Sequence, residues 1–249
     1  MLKRRPLNPP PHIYPVDPWR MIEKEFYPRF LAQAETMFSL GNGYLGMRGS
    51  FEEGTPVYEN GTFINAFYEV WPIIYGEGAH GYAKEGQTIV NLTDTKIIKL
   101  YVDDELFVLD EAKLNSFQRI LDLRAGTLDR EILWELTSGK RVSIKSRRLV
   151  SYEHRHLAAI SYEVTILNAD ARVVISSEMR NNPGDCLRKG DPRLHQTLKD
   201  KVLVPLLNSS QDQRVILGHK TELSNLKKVC GIDHLTRSAR PLCRQQREF

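Results

Sequence analysis

Long apolar runs are missing from this sequence. None approaches the roughly 20 residues that a membrane-spanning helix needs, so no membrane partner is expected. Cysteine is scarce, with three in 249 residues, at Cys186, Cys230 and Cys243. Three cysteines without metal-ligand spacing argue against a disulfide framework and against a structural zinc site. The N-terminus, MLKRRPLNPPPHIYP, is basic but carries no apolar core segment, so it does not read as a secretory leader. The cytoplasm is the expected compartment, and the sequons at Asn60, Asn91 and Asn208 then carry no weight. An excess of one charge is also missing over most of the chain. The net charge of +4 arises from residues 227–249, where Lys227, Lys228, Arg237, Arg240, Arg244 and Arg247 face only Asp233 and Glu248. Residues 1–226 balance to zero, and a neutral body does not attract a phosphate backbone, so no nucleic-acid partner is expected.

Glycine, by contrast, is concentrated in one place. Residues 35–50 read ETMFSLGNGYLGMRGS, with Gly41, Gly43, Gly46 and Gly49 interleaved with Leu40, Tyr44, Leu45 and Met47. A flexible linker would carry Ser and Lys between its glycines. Packed residues there predict a tight turn at Gly41-Asn42-Gly43 between two ordered segments, and Asn-Gly is the strongest short hairpin signal. The spacing Gly41-x-Gly43-x-x-Gly46 also matches a dinucleotide-binding fingerprint. That fingerprint must follow a strand and open a helix, whereas strands follow here, and no Gly-Lys-Ser/Thr is present for a phosphate loop.

Five prolines in residues 1–15 predict an extended arm. A strand is expected at Met21–Phe26, with a helix opened by Asp17-Pro18-Trp19 as the alternative. Thr62–Trp71, dense in aromatic and β-branched residues, predicts one strand. Residues 72–87 form a long glycine-bearing loop that displays Tyr75, His80 and Tyr82; a loop this long in a compact domain is usually functional or disordered. Short strands are expected at Thr88–Leu92, Lys96–Val102 and Leu106–Leu109. Alternation at Ile132, Trp134 and Leu136, then Val142 and Ile144, predicts a hairpin turning at Ser138-Gly139. The same pattern at Ile160–Ile166 and Val173–Ile175 predicts a second hairpin. Residues 183–200 are expected to form a loop, and Val202–Leu207 and Arg214–Leu217 two further strands. The fold class expected is mainly β, a large antiparallel two-layer sandwich over residues 16–226. Residues 227–249 are expected to be an aberrant or disordered tail.

The remaining motifs favour structural roles. His154-Arg155-His156 puts two imidazoles on one face of an expected strand, but no third ligand is evident, so a polar strand start is favoured and no metal site is expected. Glu52/Glu53 and Asp103/Asp104/Glu105 lie in expected turns, where acids serve geometry and solubility. Arg119, Arg124, Arg130, Arg147 and Arg148 are expected on solvated faces. Trp19, Trp71 and Trp134 are expected in the core, with Trp71 the one placed to stack on a ligand. No serine or cysteine constellation for nucleophilic catalysis can be argued from spacing, and no catalytic residue is named.

An ordered set of motifs nonetheless resembles one family. The run Glu35-x-x-Phe38-x-Leu40-Gly41-Asn42-Gly43-Tyr44-Leu45-Gly46-x-Arg48-Gly49 is similar to the N-terminal signature of family 65 glycoside hydrolases, which include maltose, trehalose and kojibiose phosphorylases. Asp17-Pro18-Trp19, Phe51-Glu52-Glu53-Gly54, Val90-Asn91-Leu92, Leu121-Asp122-Leu123-Arg124-x-Gly126-x-Leu128, Trp134 and Arg147-Arg148-Leu149-Val150-Ser151 match in the same order. The resemblance implies a galactose-mutarotase-like super-sandwich, followed in the family by a linker and an (α/α) barrel that holds the general acid and the phosphate site. The implied reaction is inverting cleavage of an α-glucosyl disaccharide by phosphate or water, with no cofactor beyond inorganic phosphate as co-substrate. This chain ends where the linker would begin, so it is expected to lack the barrel and to be inactive alone. A separately encoded barrel or a second copy of the chain is an expected partner. Asn42, Tyr44, Arg48, Trp71, Tyr75, His80 and Tyr82 are the expected substrate-entrance or domain-interface residues. The alternative is a stand-alone carbohydrate-binding or interaction module.

Overall fold

A computed structural model describes residues 8–58, 60–181 and 202–238. The loop expected at 183–200, Cys186, Cys243 and the far end of the tail lie outside these. Among the described residues the chain is an antiparallel β-sandwich with one short helix. The larger layer has five strands in the order β1 (Arg20–Glu23), β9 (Lys113–Asp122), β10 (Thr127–Glu135), β11 (Arg141–Val150) and β12 (Ala158–Ile166). The facing layer contains β13 (Val173–Arg180), β7 (Asp94–Val102) and β8 (Glu105–Leu106). Smaller sheets are built from β2 (Leu40–Gly41), β3 (Leu45–Met47) and β4 (Thr62–Ile64), from β5 (Tyr68–Pro72) and β6 (Glu85–Ile89), and from β14 (Leu203–Gln211), β15 (Arg214–Thr221) and β16 (Lys227–Asp233).

Period-two alternation places every second residue of β9, β10 and β11 on the inner face. At one end Phe117, Ile132, Trp134, Val142 and Ile144 pack against Leu100 and Val102 of β7 and against Phe51, Phe107 and Leu109. At the other end Leu121, Leu128 and Val150 are covered by Ala34, Phe38, Leu40, Leu45 and Met47. This second cover is the glycine stretch together with helix α1 (Leu31–Met37), which sequence patterning did not anticipate.

The hairpin at Gly41–Gly43 forms as expected, joining β2 to β3 with Leu40 opposite Met47. Gly43 supplies the positive φ of the turn, +84°, and has open space around it. Gly49 is needed for a different reason. A Cβ there would fall 2.7 Å from the Phe38 Cβ and from the Phe38 carbonyl oxygen, so the chain after β3 lies directly on the end of α1. Its N–H donates to the Glu35 carbonyl at 2.7 Å.

Several local expectations are corrected. The arm is not extended throughout: the Pro10 carbonyl accepts from the N–H groups of Ile13 and Tyr14, and the turn buries Ile13. The Asp17 carboxylate accepts from the N–H groups of Trp19 and Arg20 and closes a turn before β1. Trp19 is 49% exposed, not core, with the Arg124 guanidinium over its ring at 4.4 Å. The strand expected over Thr62–Trp71 breaks into β4 and β5, because Ala66 adopts a φ of +65°. The residues 160–166 and 173–175 are strands but not a hairpin: β12 pairs with β11, and β13 pairs with β7 across the sandwich. The tail expected from residue 227 begins as a regular strand, since β16 pairs with β15 from Lys220/Lys227 to Arg214/Asp233. His234 just beyond it bridges the Ser177 hydroxyl at 2.9 Å and the Gln213 carbonyl at 2.8 Å. Glu69 on β5 fastens this last sheet, its carboxylate accepting from the N–H groups of Leu223 and Ser224 at 2.9 and 2.7 Å.

The two glycines separate experimentally. Gly49→Ala is expected to cost about 1–3 kcal/mol because backbone must move. Gly43→Ala is expected to cost about 1–2 kcal/mol, from the positive φ alone. Urea denaturation of both variants measures this, and the unfolding slope should change only for Gly49→Ala.

Candidate functional site

Between the two apolar zones of the inner face runs a band of charge. Arg119 lies between Phe117 and Leu121 in the inward phase of β9, Arg130 between Leu128 and Ile132 on β10, and Arg148 before Val150 on β11. All three are buried, at 2%, 2% and 1% exposure. Arg119 and Arg130 are cross-strand partners, and like charges held opposite each other need anions. Glu23 on β1 sits opposite Arg119 in the ladder and pairs with it at 2.6 Å. Tyr14 donates to the other Glu23 oxygen at 2.6 Å. Glu52 and Glu53, where the glycine stretch leaves β3, supply the rest. Arg130 grips Glu53 with two parallel bonds of 2.7 Å and reaches Glu52 at 3.0 Å. Arg148 donates to Glu52 at 2.6 Å, and Tyr162 donates to Glu53 at 2.9 Å.

The arginines also hold backbone. Arg148 donates to the carbonyls of Arg48 and Ser50 at 3.1 and 3.0 Å, and Arg119 to that of Gly49 at 2.8 Å. Arg119 is further sandwiched between the rings of Phe38 and Phe51, at 4.2 and 4.5 Å. Three successive carbonyls that an irregular buried segment would leave unpaired are therefore satisfied by guanidinium groups.

Electrostatics follow from this geometry. Burial alone would raise the Glu52 carboxyl, but the charges of Arg130 and Arg148 outweigh it and lower the group to about 2. Burial likewise works against the Arg130 cation, and Glu53 and Glu52 overcome it and raise Arg130 above the usual arginine range. Burial and then the Glu53 charge push the Tyr162 phenol well above its ordinary value, so it stays a donor. Solvated arginines and turn acids were expected at these positions. Charge in a strand does not by itself mean exposure: the period of β10 and β11 carries Arg130 and Arg148 on the inward phase.

The expected site residues fall into two groups. Asn42 spends its side chain on structure: its carbonyl accepts from the N–H groups of Tyr44 and Leu45, and its amide donates to the carbonyls of Ser151 and Arg155. Arg48 turns inward, donating to the Ala32 carbonyl and pairing with Glu35 at 3.3 Å. Tyr44 is half-buried, edge-on to His156 at 4.6 Å and beneath the Arg155 guanidinium at 5.0 Å. His154–His156 thus form a loop over the glycine hairpin, not a strand. The second group sits on the β5–β6 sheet. The Trp71 ring fills the space above Gly86, where a Cβ would come within 2.4 Å of it. Tyr75 and Tyr82 pack on each other at 4.9 Å and remain 43% and 53% exposed, with His80 exposed between them. Among the described residues no group of three or more His, Cys, Asp or Glu is placed to hold a metal ion, and no helix is long and apolar enough to cross a membrane.

The geometry defines a mainly β, two-layer sandwich whose glycine hairpin is bolted to the larger sheet by buried arginines. The glycosyl hydrolase family 65 N-terminal domain matches residues 21–248, and the chain belongs to that family. An uncharacterized glycosyl hydrolase of Mycobacterium tuberculosis is 40% identical over 221 residues, covering 89% of this chain and 28% of its own length. The alpha,alpha-trehalose phosphorylase of Thermoanaerobacter brockii is 39% identical over 227 residues, covering 90% of this chain and 29% of its own. A human-microbiome protein provisionally described as a kojibiose phosphorylase shares the fold, with a TM-score of 0.69, 22% identity, and coverage of 89% of this chain and 31% of that one. The chain spans less than a third of the length of these relatives.

Two outcomes test the charge band. Arg130→Met leaves Glu53 buried and unpaired and is expected to cost about 3–5 kcal/mol in chemical denaturation, against less than about 0.5 kcal/mol for the exposed Arg147→Met. Because the Glu52 carboxyl is depressed in the folded state, its contribution is complete above its unfolded value of 4.5 and is lost as pH falls towards about 2. Glu52→Gln should therefore be less stable at neutral pH and lose less stability across that window, measured by urea denaturation at stepped pH.

Proposed function

We propose that this chain is the non-catalytic N-terminal sandwich of a family 65 disaccharide phosphorylase or hydrolase, and that by itself it turns over no sugar. The observation that carries this is the family match over residues 21–248, with phosphorylase relatives of which the chain spans under a third. The two acidic runs singled out in the sequence are engaged in internal contacts. Inverting cleavage needs a carboxylic acid free to protonate the glycosidic oxygen while phosphate or water attacks the opposite face. Glu52 and Glu53 are locked by Arg130 and Arg148. Asp103 is held by Lys140 and the Arg172 N–H, and Glu105 by Thr137.

In this reading the general acid and the phosphate site belong to a catalytic barrel, in the same or a separate polypeptide. The sandwich supplies walls to that site. The Tyr44, Arg155 and His156 cluster and the Tyr75, His80 and Tyr82 loop are the surfaces offered to the substrate entrance or to a second copy of the chain. The α-glucosyl disaccharide and phosphate are the proposed substrates of the whole, in the cytoplasm. A second reading, a carbohydrate-binding module acting alone, is favoured only by the exposed Tyr75–Tyr82 pair, since paired rings suit the apolar face of a sugar.

One preparation separates these readings. The purified chain, shown to unfold cooperatively, is incubated with maltose, trehalose or kojibiose and inorganic phosphate. No glucose 1-phosphate is expected, and its release would overturn the first reading. Millimolar binding of the same sugars by calorimetry, lost in Tyr82→Ala, would favour the second.

A further inference from the structure

Neither reading uses a polar cluster on the buried face of the β15–β16 ladder. Lys228 and Cys230 are two residues apart on one strand and so point to the same side. His219 is the ladder partner of Lys228 and shares that side. Lys228 and His219 are 6% and 4% exposed. Cys230 is a half-buried free thiol. The Lys228 amine donates to the Thr93 hydroxyl and to the Cys230 sulfur, the latter at 3.6 Å. No carboxylate acts on Lys228 among the described residues, so burial pushes its ammonium below the usual lysine range, opposed only by Cys230. His219 Nδ1 is buried and has no hydrogen-bond partner among the described residues, and burial, then the Lys228 charge, hold the imidazole below its ordinary value.

A buried lysine whose amine rests on a thiol, with a buried imidazole as its ladder partner, is an arrangement for covalent chemistry. We propose that a hydroperoxide, such as hydrogen peroxide, drives a covalent sulfur–nitrogen link between Cys230 and Lys228. In the first step the peroxide O–O bond breaks, one oxygen joins the sulfur, and the thiol becomes a sulfenic acid with release of water. The half-exposed sulfur admits the small oxidant. In the second step the lone pair of the Lys228 amine attacks that sulfur, the S–N bond forms and the S–OH bond breaks. The amine proton goes to the departing hydroxide, which leaves as water. The net change is thiol plus amine plus hydrogen peroxide giving a sulfenamide and two waters. Sulfur loses two electrons and peroxide gains them. The link would tie residues 228 and 230 within β16 and remove the lysine charge from beneath Thr93.

Peptide mapping of the peroxide-treated chain tests this. The expected product is a peptide that holds both residues, lighter by two hydrogens, resistant to trypsin after Lys228 and restored by dithiothreitol. In Lys228→Arg, which keeps the charge but cannot condense, Cys230 should persist as a sulfenic acid and be labelled by dimedone. The wild-type map decides the matter even if the variant fails to fold. Cys230 that stays unmodified, is labelled by dimedone without forming the link, or is joined to Cys186 or Cys243 would overturn the proposal.

Discussion

The structure depends on how one irregular segment is held against a regular sheet. Residues 48–53 cross the inner face of the five-stranded layer without forming a strand on it. The carbonyls of residues 48–50 would be orphaned there, at a cost of about 1–3 kcal/mol each. Arg119 and Arg148 answer those carbonyls, Arg130 holds the two glutamates of the same segment, and the three arginines are answered in turn by Glu23, Glu52 and Glu53. Neither half is tolerable alone. Three buried guanidinium groups without the carboxylates would be expelled, and the carboxylates without the arginines would protonate or unfold the segment.

This mutual dependence places everything nearby. With Gly49 pressed on Phe38 and Arg48 turned into the helix end, the hairpin at Gly41–Gly43 has one position relative to the sheet. Asn42 then reaches Ser151 and Arg155, and Tyr44 meets His156. Of the glycines that invite a ligand reading, Gly49 lets backbone approach backbone and Gly43 supplies the positive φ of the turn. Among the described residues, the rim formed by the Arg155–His156 loop above the hairpin and the Tyr75–Tyr82 pair stays exposed. In the function proposed above, that rim is the surface offered to a neighbouring catalytic centre.

Much of the sandwich was legible because alternation and turn chemistry are local signals. The β10–β11 hairpin and the Asn42-Gly43 turn needed nothing beyond a few adjacent residues. Strand β9 escaped because Asn115, Ser116, Gln118 and Arg119 interrupt its apolar phase. Strand β16 escaped because Lys227 and Lys228 look like a tail until β15 pairs with them. The β12–β13 pairing was misplaced for a related reason: a short connection resembles a hairpin turn, and only the long-range match to β7 sends the chain to the other layer. Buried Glu52, Glu53 and the three arginines were the largest omission. Each residue alone favours water, and burial becomes favourable only when partners up to 109 residues apart meet, as Tyr162 and Glu53 do. Asn42, Tyr44 and Arg48 come from the glycine motif and Trp71, Tyr75, His80 and Tyr82 from an aromatic-bearing loop, and the structure makes Asn42 and Arg48 pins and leaves Tyr75, His80 and Tyr82 displayed.

The claim that the band acts as one cooperative fastening is tested most directly by a double-mutant cycle on Glu52 and Arg148, with Glu52→Gln, Arg148→Met and the pair measured by chemical denaturation. The account predicts a coupling of about 1–3 kcal/mol, with the double variant losing much less than the sum of the singles. Losses that add to within about 0.5 kcal/mol would contradict it.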